Sequence, residues 1–145
     1  MKRIAILLAV SSFFLPTLLV AGEQYLCIAD KVSGFSFNNV SMDWENATFN
    51  GGSKFVISKP DDANVAFVVH EVGKSAVTAT CGSGFDELGS LSCTGYGGDF
   101  RFNRKSGRFI NSYVAGYYNI IPGVNSLTDR NSDTPSIEIG KCSPF

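Results

Sequence analysis

The chain has one histidine, one tryptophan and five prolines among 145 residues, and its 12 basic and 13 acidic side chains nearly cancel. Each shortage excludes something. Nucleophilic catalysis by Ser or Cys needs a base within hydrogen-bond reach. The sole histidine, His70, lies in Val65-Ala66-Phe67-Val68-Val69-His70-Glu71-Val72, which reads as a largely buried strand where histidine is a hydrogen-bonded or edge residue. Cys81-Gly82-Ser83-Gly84 lacks a glycine two places before the serine and has no strand-to-helix context, so it is not a nucleophile elbow. Asp86 and Glu87 are adjacent on a loop and point apart, unlike a catalytic carboxylate pair. The four cysteines lack CxxC spacing and have one histidine to join them, which makes a poor zinc site. No glycine-rich phosphate loop is present. These absences predict a non-enzyme with no metal and no cofactor.

Long apolar runs are also scarce. The single one, Ile4 to Val20, follows Lys2 and Arg3 and ends in Leu19-Val20-Ala21-Gly22, the pattern of a signal peptide over residues 1–22. Ser11, Ser12 and Pro16 interrupt it, which disfavours a retained membrane span. Cys27 follows Gln24-Tyr25-Leu26 instead of the small residues that precede a lipidated cysteine. The expectation is a periplasmic or secreted protein with one domain over residues 23–145 and no membrane span after signal removal. Without Lys2 and Arg3, 10 basic side chains face 13 acidic ones, a net charge of −3 that argues against nucleic acid as a partner.

All four cysteines, Cys27, Cys81, Cys93 and Cys142, lie in the exported part, and an even number in an oxidising compartment predicts two disulfides. Three connectivities are possible. The favoured one joins Cys81 to Cys93 as a local staple and Cys27 to Cys142 as a tie between first and last strands, which closure of a barrel or sandwich would make neighbours. About eight or nine short strands are expected, drawn from Tyr25–Ala29, Gly34–Asn38, Trp44–Phe49, Lys54–Ser58, Val65–Val72, Ala76–Cys81, Leu91–Thr94, Phe100–Asn103, Arg108–Ile121 and Ser136–Lys141. Glycine-rich and Pro-Asp turns separate them, so successive strands are antiparallel. The predicted fold is all-β: a small antiparallel, about eight-stranded, closed β-barrel or barrel-like sandwich with two disulfides. The polar stretch Val124 to Pro135 is read as a functional or mobile loop.

The strongest single element is the hairpin Gly98 to Ile121. Phe100 and Phe102 alternate with Arg101 and Asn103, Arg104 to Gly107 supply a turn, and Phe109, Tyr113 and Tyr117 recur on a β-forming strand. Arg101, Arg104, Lys105 and Arg108 make this hairpin basic in an otherwise mildly acidic domain. Such charges commonly decorate a solvated turn; as a functional feature, a projecting basic turn suits an acidic cleft or an anionic glycan, because the arginine fork pairs two oxygens at once. The first half of the chain carries a weak echo. Cys27 precedes Phe35-Ser36-Phe37-Asn38 as Cys93 precedes Phe100-Arg101-Phe102-Asn103, and an aromatic residue, Trp44 or Phe109, follows each asparagine by six places. Trp44 is expected in the core, with an interface or sugar-stacking role as the alternative. Asn39-Val40-Ser41 and Asn46-Ala47-Thr48 match glycosylation acceptors, relevant only to a eukaryotic secretory route.

A signal peptide, a small all-β domain, paired cysteines and the segment Ser106-Gly107-Arg108-Phe109 resemble the periplasmic C-type lysozyme inhibitors. Ser106, Gly107 and Phe109 match that family's Ser-Gly-x-aromatic pattern, while its downstream Trp and Lys-Gly are replaced here by the neighbourhood of Gly116-Tyr117-Tyr118. The chain also looks like uncharacterised small exported proteobacterial proteins with a Gly-Phe-x-Phe start and an Ile-Glu-Ile-Gly-Lys-Cys end. The first resemblance implies an eight-stranded barrel that presents a loop to an enzyme's active site. The functional expectation is an exported, non-catalytic protein that recognises another protein, an inhibitor or immunity-type protein acting through Arg101, Arg104, Lys105, Ser106 and Arg108. Its partner would be a hydrolase with an acidic cleft. The alternative is a lipocalin-like carrier of a small apolar ligand inside the barrel.

Overall fold

A computed structural model describes residues 23–119, 128–131 and 133–145. The signal segment 1–22 and, of the expected loop at 124–135, residues 124–127 and 132 lie outside the described residues. The strands are β1 (Tyr25–Asn38), β2 (Asp43–Phe49), β3 (Lys54–Ser58), β4 (Phe67–Glu71), β5 (Val77–Cys81), β6 (Ser90–Gly95), β7 (Gly98–Asn103), β8 (Arg108–Tyr113) and β9 (Ser136–Pro144). A helical turn, α1 (Ala115–Tyr118), and a 3-10 turn at Asp129–Asn131 complete the described elements.

Every pairing is antiparallel, and the ladder runs β1-β3-β4-β5-β6-β7-β8-β9 and back to β1, closing an eight-stranded barrel. β2 is the additional strand. It pairs with Val32–Asn38, the half of β1 beyond its pairing with β3, of which Val32–Gly34 still pair with β9 on the other side, and has no other strand neighbour among the described residues. Closure removes the barrel's own edges, which is how a β domain of this size avoids unpaired backbone groups.

Alternation determines what fills the lumen. Tyr25, Cys27, Phe55, Ile57, Phe67, Val69, Leu91, Phe100, Phe102 and Phe109 are all buried in one cluster. Phe100 and Phe109 stack with ring centroids 5.1 Å apart, and Phe55 meets both edge-on at 5.5 and 5.8 Å. Each such burial stabilises by roughly 2–3 kcal/mol, and each ring pair adds about 0.5–1.5 kcal/mol. Gly140 makes room for this packing: a Cβ there would collide with the carbonyl oxygen of Ile28 and with the Phe109 ring. The disulfides are Cys27–Cys142 and Cys81–Cys93, as the spacing predicted, and both sit among the buried residues. Cys27 and Cys142 face each other directly across β1 and β9, so the bond fastens the seam where the barrel closes. Two disulfides fit an oxidising compartment. No helix among the described residues is long and apolar enough to cross a membrane.

Three expectations need correction. Tyr25–Ala29 and Gly34–Asn38 are one strand. A bulge at Asp30 shifts the register between Ala29 and Lys31, so the inward series Tyr25, Cys27, Ala29 resumes at Val32, and broken alternation reads as a break in the strand. The predicted strand Arg108–Ile121 ends at Tyr113, because Val114 and Ala115 both donate backbone N–H bonds to the Gly97 carbonyl (2.8 and 3.0 Å), turning the chain into α1. Ile120 and Ile121 lie outside the described residues. Trp44 is outside the barrel core: its ring meets Phe37 at 5.7 Å and Tyr117 at 5.1 Å on the extended hairpin.

The sequence echo corresponds to two hairpins with the same turn. In β7–β8, the Asn103 side-chain oxygen accepts from the backbone N–H of Lys105 and Ser106, and Gly107 closes the turn at φ 68°. In β1–β2, the Asn38 oxygen accepts from Val40 and Ser41, and Met42 closes the turn at φ 56°. Phe102 faces Phe109 as Phe37 faces Trp44. One hairpin turns its rings into the barrel and the other carries them outside: Phe100 is fully buried, whereas its counterpart Phe35 is 49% exposed.

Candidate functional site

The five residues singled out in the sequence fall on two surfaces. Arg104 and Lys105 lean over one end of the barrel, towards the β5–β6 loop. The Arg104 guanidinium lies 4.6 Å from the Phe85 ring centre and donates to the Glu23 carboxylate at 3.0 Å, and its backbone N–H donates to the Gly89 carbonyl. Lys105 Nζ donates to the Glu87 carbonyl at 2.8 Å. Phe85 in turn plugs that end, edge-on to Tyr25, Phe67 and Phe102 at 5.3–5.8 Å. The neighbouring Tyr25 hydroxyl donates to Glu23, and burial first and this carboxylate second push its pKa up. Ser106 is part of the turn itself: its hydroxyl donates to the Asn103 carbonyl and accepts from the Arg108 N–H. The turn is therefore braced against the barrel, and Arg104 and Lys105 are already engaged by it.

Arg101 and Arg108 belong to the outer wall. Arg101 Nη1 donates to Ser92 Oγ at 3.2 Å, and Nη2 lies 3.8 Å from the Asp99 carboxylate. Arg108 stands directly opposite Lys141 of β9, and Lys141 opposite Ile28 of β1, which faces Lys54 of β3. The adjoining row reads Arg101, Ile110, Ile139 and Lys31 across β7, β8, β9 and β1. Directly opposed residues share a face of the sheet, so five basic side chains surround a patch of isoleucines on one stretch of wall. Ile28, Ile110, Ile137 and Ile139 are each 40–48% exposed. Apart from Arg101, these cations make no ion pair among the described residues. The sequence did carry a signal for the missed residues: Ile137 and Ile139 alternate with Glu138, which faces the barrel's other end and is hydrogen-bonded to Ser53 and Asn111.

That other end is a polar cup of about 330 Å³ bordered by Glu71, Lys74, Asp99, Asn111, Tyr113 and Glu138, with Phe55 and Phe100 beneath. Tyr113 donates its hydroxyl to Asp133 at 2.7 Å. Burial first, and this bond second, push its pKa up to about 12. Along the extended hairpin, Phe35, Trp44, Val114, Tyr117, Tyr118 and Pro135 line an apolar groove of about 380 Å³. His70 pairs across strands with Val56 and Val77. Among the described residues, no group of three His, Cys, Asp or Glu side chains is placed to hold a metal ion. No family model, curated protein or solved structure matches the chain, so its reading rests on its own geometry.

Proposed function

We propose that this is an exported, non-catalytic binding protein that recognises another protein through the basic face of the β7–β8 hairpin. The observation that carries the reading is the set of outward basic side chains on and beside this hairpin, in a chain whose described residues have 10 basic and 13 acidic groups. Arg108 is exposed beside a braced turn, a rigid presentation that loses little conformational entropy on binding. The carrier alternative has less support. Rings and branched side chains fill the lumen, and an eight-stranded barrel is wide enough for packed side chains or one small ligand, not both.

The test is capture of partners from periplasm and host fluids with the protein lacking residues 1–22, followed by calorimetry of the recovered pair at two salt concentrations. Replacing Arg101 and Arg108 with serine should leave the fold intact and weaken binding by a few kcal/mol, the range for lost arginine anchors. Part of that loss should appear in the association rate and diminish at high salt. Unchanged affinity would rule out the hairpin face. Arg104 serves as the contrasting position. Because it is stacked on Phe85 and paired with Glu23, Arg104→Ala should cost about 1 kcal/mol of stability whatever it does to binding.

A further inference from the structure

Resting on that reading, we infer that the contact surface is the outer wall of β7, β8, β9, β1 and β3, and that its partner is a folded protein face with an apolar centre and an acidic rim. The wall's chemistry is the argument. Like charges placed directly opposite each other on neighbouring strands destabilise a sheet, yet Arg108 and Lys141 are so placed, with Lys54 two strands further on. The local acids do not neutralise them: Asp99 lies beside Arg101 at 3.8 Å, and Asp30 sits at the β1 bulge. An arrangement that repels itself in the free protein gains most from a partner that brings carboxylates.

Between the cations, Ile28, Ile110, Ile137 and Ile139 are half-exposed, and Phe35 borders Ile137 and Ile139 at one margin. Five strands about 4.8 Å apart make this face nearly 20 Å wide. At its margin, Lys31, Phe35, Val114, Ile137 and Ile139 border a groove of about 440 Å³ that can take an apolar side chain from the partner. A second copy of the chain is a poor occupant, since a two-fold contact would set Arg108 and Lys141 against themselves. An anionic membrane fits the charges and not the isoleucines. They lie on a flat wall among lysine stems, and the exposed aromatic residues that could sit at the headgroup level, Phe35, Tyr117 and Tyr118, are gathered at one margin of it.

The experiment places a photoreactive residue at Ile110, at Lys105 in the turn, or at Val72 on the far β4–β5 turn, in the full chain exported by producing cells. Irradiation should give a heteromeric adduct from position 110 and none from position 72. The peptide joined to position 110 should pair apolar residues with flanking Asp or Glu. Arg108→Glu with Lys141→Glu should lower the adduct yield at least tenfold, and because it exchanges one like-charge pair for another, Arg108→Gln with Lys141→Gln is made alongside; that neutral variant should keep or raise the melting temperature and lower the yield less. Adducts from position 105 alone would overturn the wall while leaving the hairpin reading in place, and adducts from neither would remove both. An adduct of twice the chain mass would assign the wall to self-association. Co-sedimentation with phosphatidylglycerol vesicles, lost in the glutamate variant and without a protein adduct, would assign it to a lipid surface.

Discussion

The two disulfides offer a quantitative test of how the barrel is held. Both bonds join neighbouring antiparallel strands, and all four cysteines are buried. What separates them is the length of chain each closes: 115 residues for Cys27–Cys142 and 12 for Cys81–Cys93. In the chain-entropy description, the first restrains the unfolded state by about 4.8 kcal/mol at 25 °C and the second by about 2.8 kcal/mol. Replacing Cys27 and Cys142 with alanine should therefore cost about 2 kcal/mol more than the same change at Cys81 and Cys93. Urea unfolding followed by circular dichroism reads the difference, and the melting temperatures should separate by roughly 8 °C. With total stability of roughly 5–15 kcal/mol for a domain of this kind, loss of the seam leaves the fold marginal. Equal costs, or a larger cost for the short loop, would refute the entropic account. That result would mean that the β1–β9 seam persists in the unfolded chain and already does the work of the covalent bond.

Two further outcomes follow from local geometry. Tyr113 has its pKa raised from 10.0 to about 12, so its stabilising contribution is complete below pH 10 and is lost as pH rises through 12. An ultraviolet titration should show a tyrosine ionising near pH 12, and Tyr113→Phe should remove that step; if the variant keeps it, the step belongs to another tyrosine and the burial of Tyr113 does not raise its pKa. Gly107 closes the β7–β8 turn in the left-handed region, where a Cβ costs about 1–2 kcal/mol, so Gly107→Ala should lower stability by about that amount in thermal melts. Met42→Gly at the equivalent site should instead be neutral or slightly stabilising, because it removes the same strain. A matching loss at both positions would contradict the equivalence of the turns.

The parts of the fold legible in the sequence were those set by neighbours in the chain. Phe100, Phe102 and Phe109 announce an inward face by parity, the Asn103 to Gly107 turn follows from turn chemistry, and the end-to-end cysteine pair implies closure. The illegible parts depend on distant backbone. Nothing near Tyr113 in the sequence reveals that the Gly97 carbonyl will capture the next two amides and end the strand. The bulge at Asp30 inverts parity midway along β1, so a continuous strand has a discontinuous pattern. The candidate site divides the same way. Arg101 and Arg108 were visible as a local cluster, whereas Lys141, Ile139, Ile28 and Lys54 join them only because the first and last strands meet.

The hairpin outside the barrel has a consequence for the protein in concentrated solution. β1–β2 repeats the plan of β7–β8 without a sheet to receive it, so Phe35 remains half in solvent, and β2 has an edge with no strand partner among the described residues. An open edge beside an apolar face is a template for another chain's strand. Asp43 and Glu45 are exposed along that edge, and Glu45 is held by Asn38 and Ser41. Charges on an open edge oppose the docking of another strand, so replacing both carboxylates with neutral residues should raise the tendency of the hairpin to recruit copies of itself.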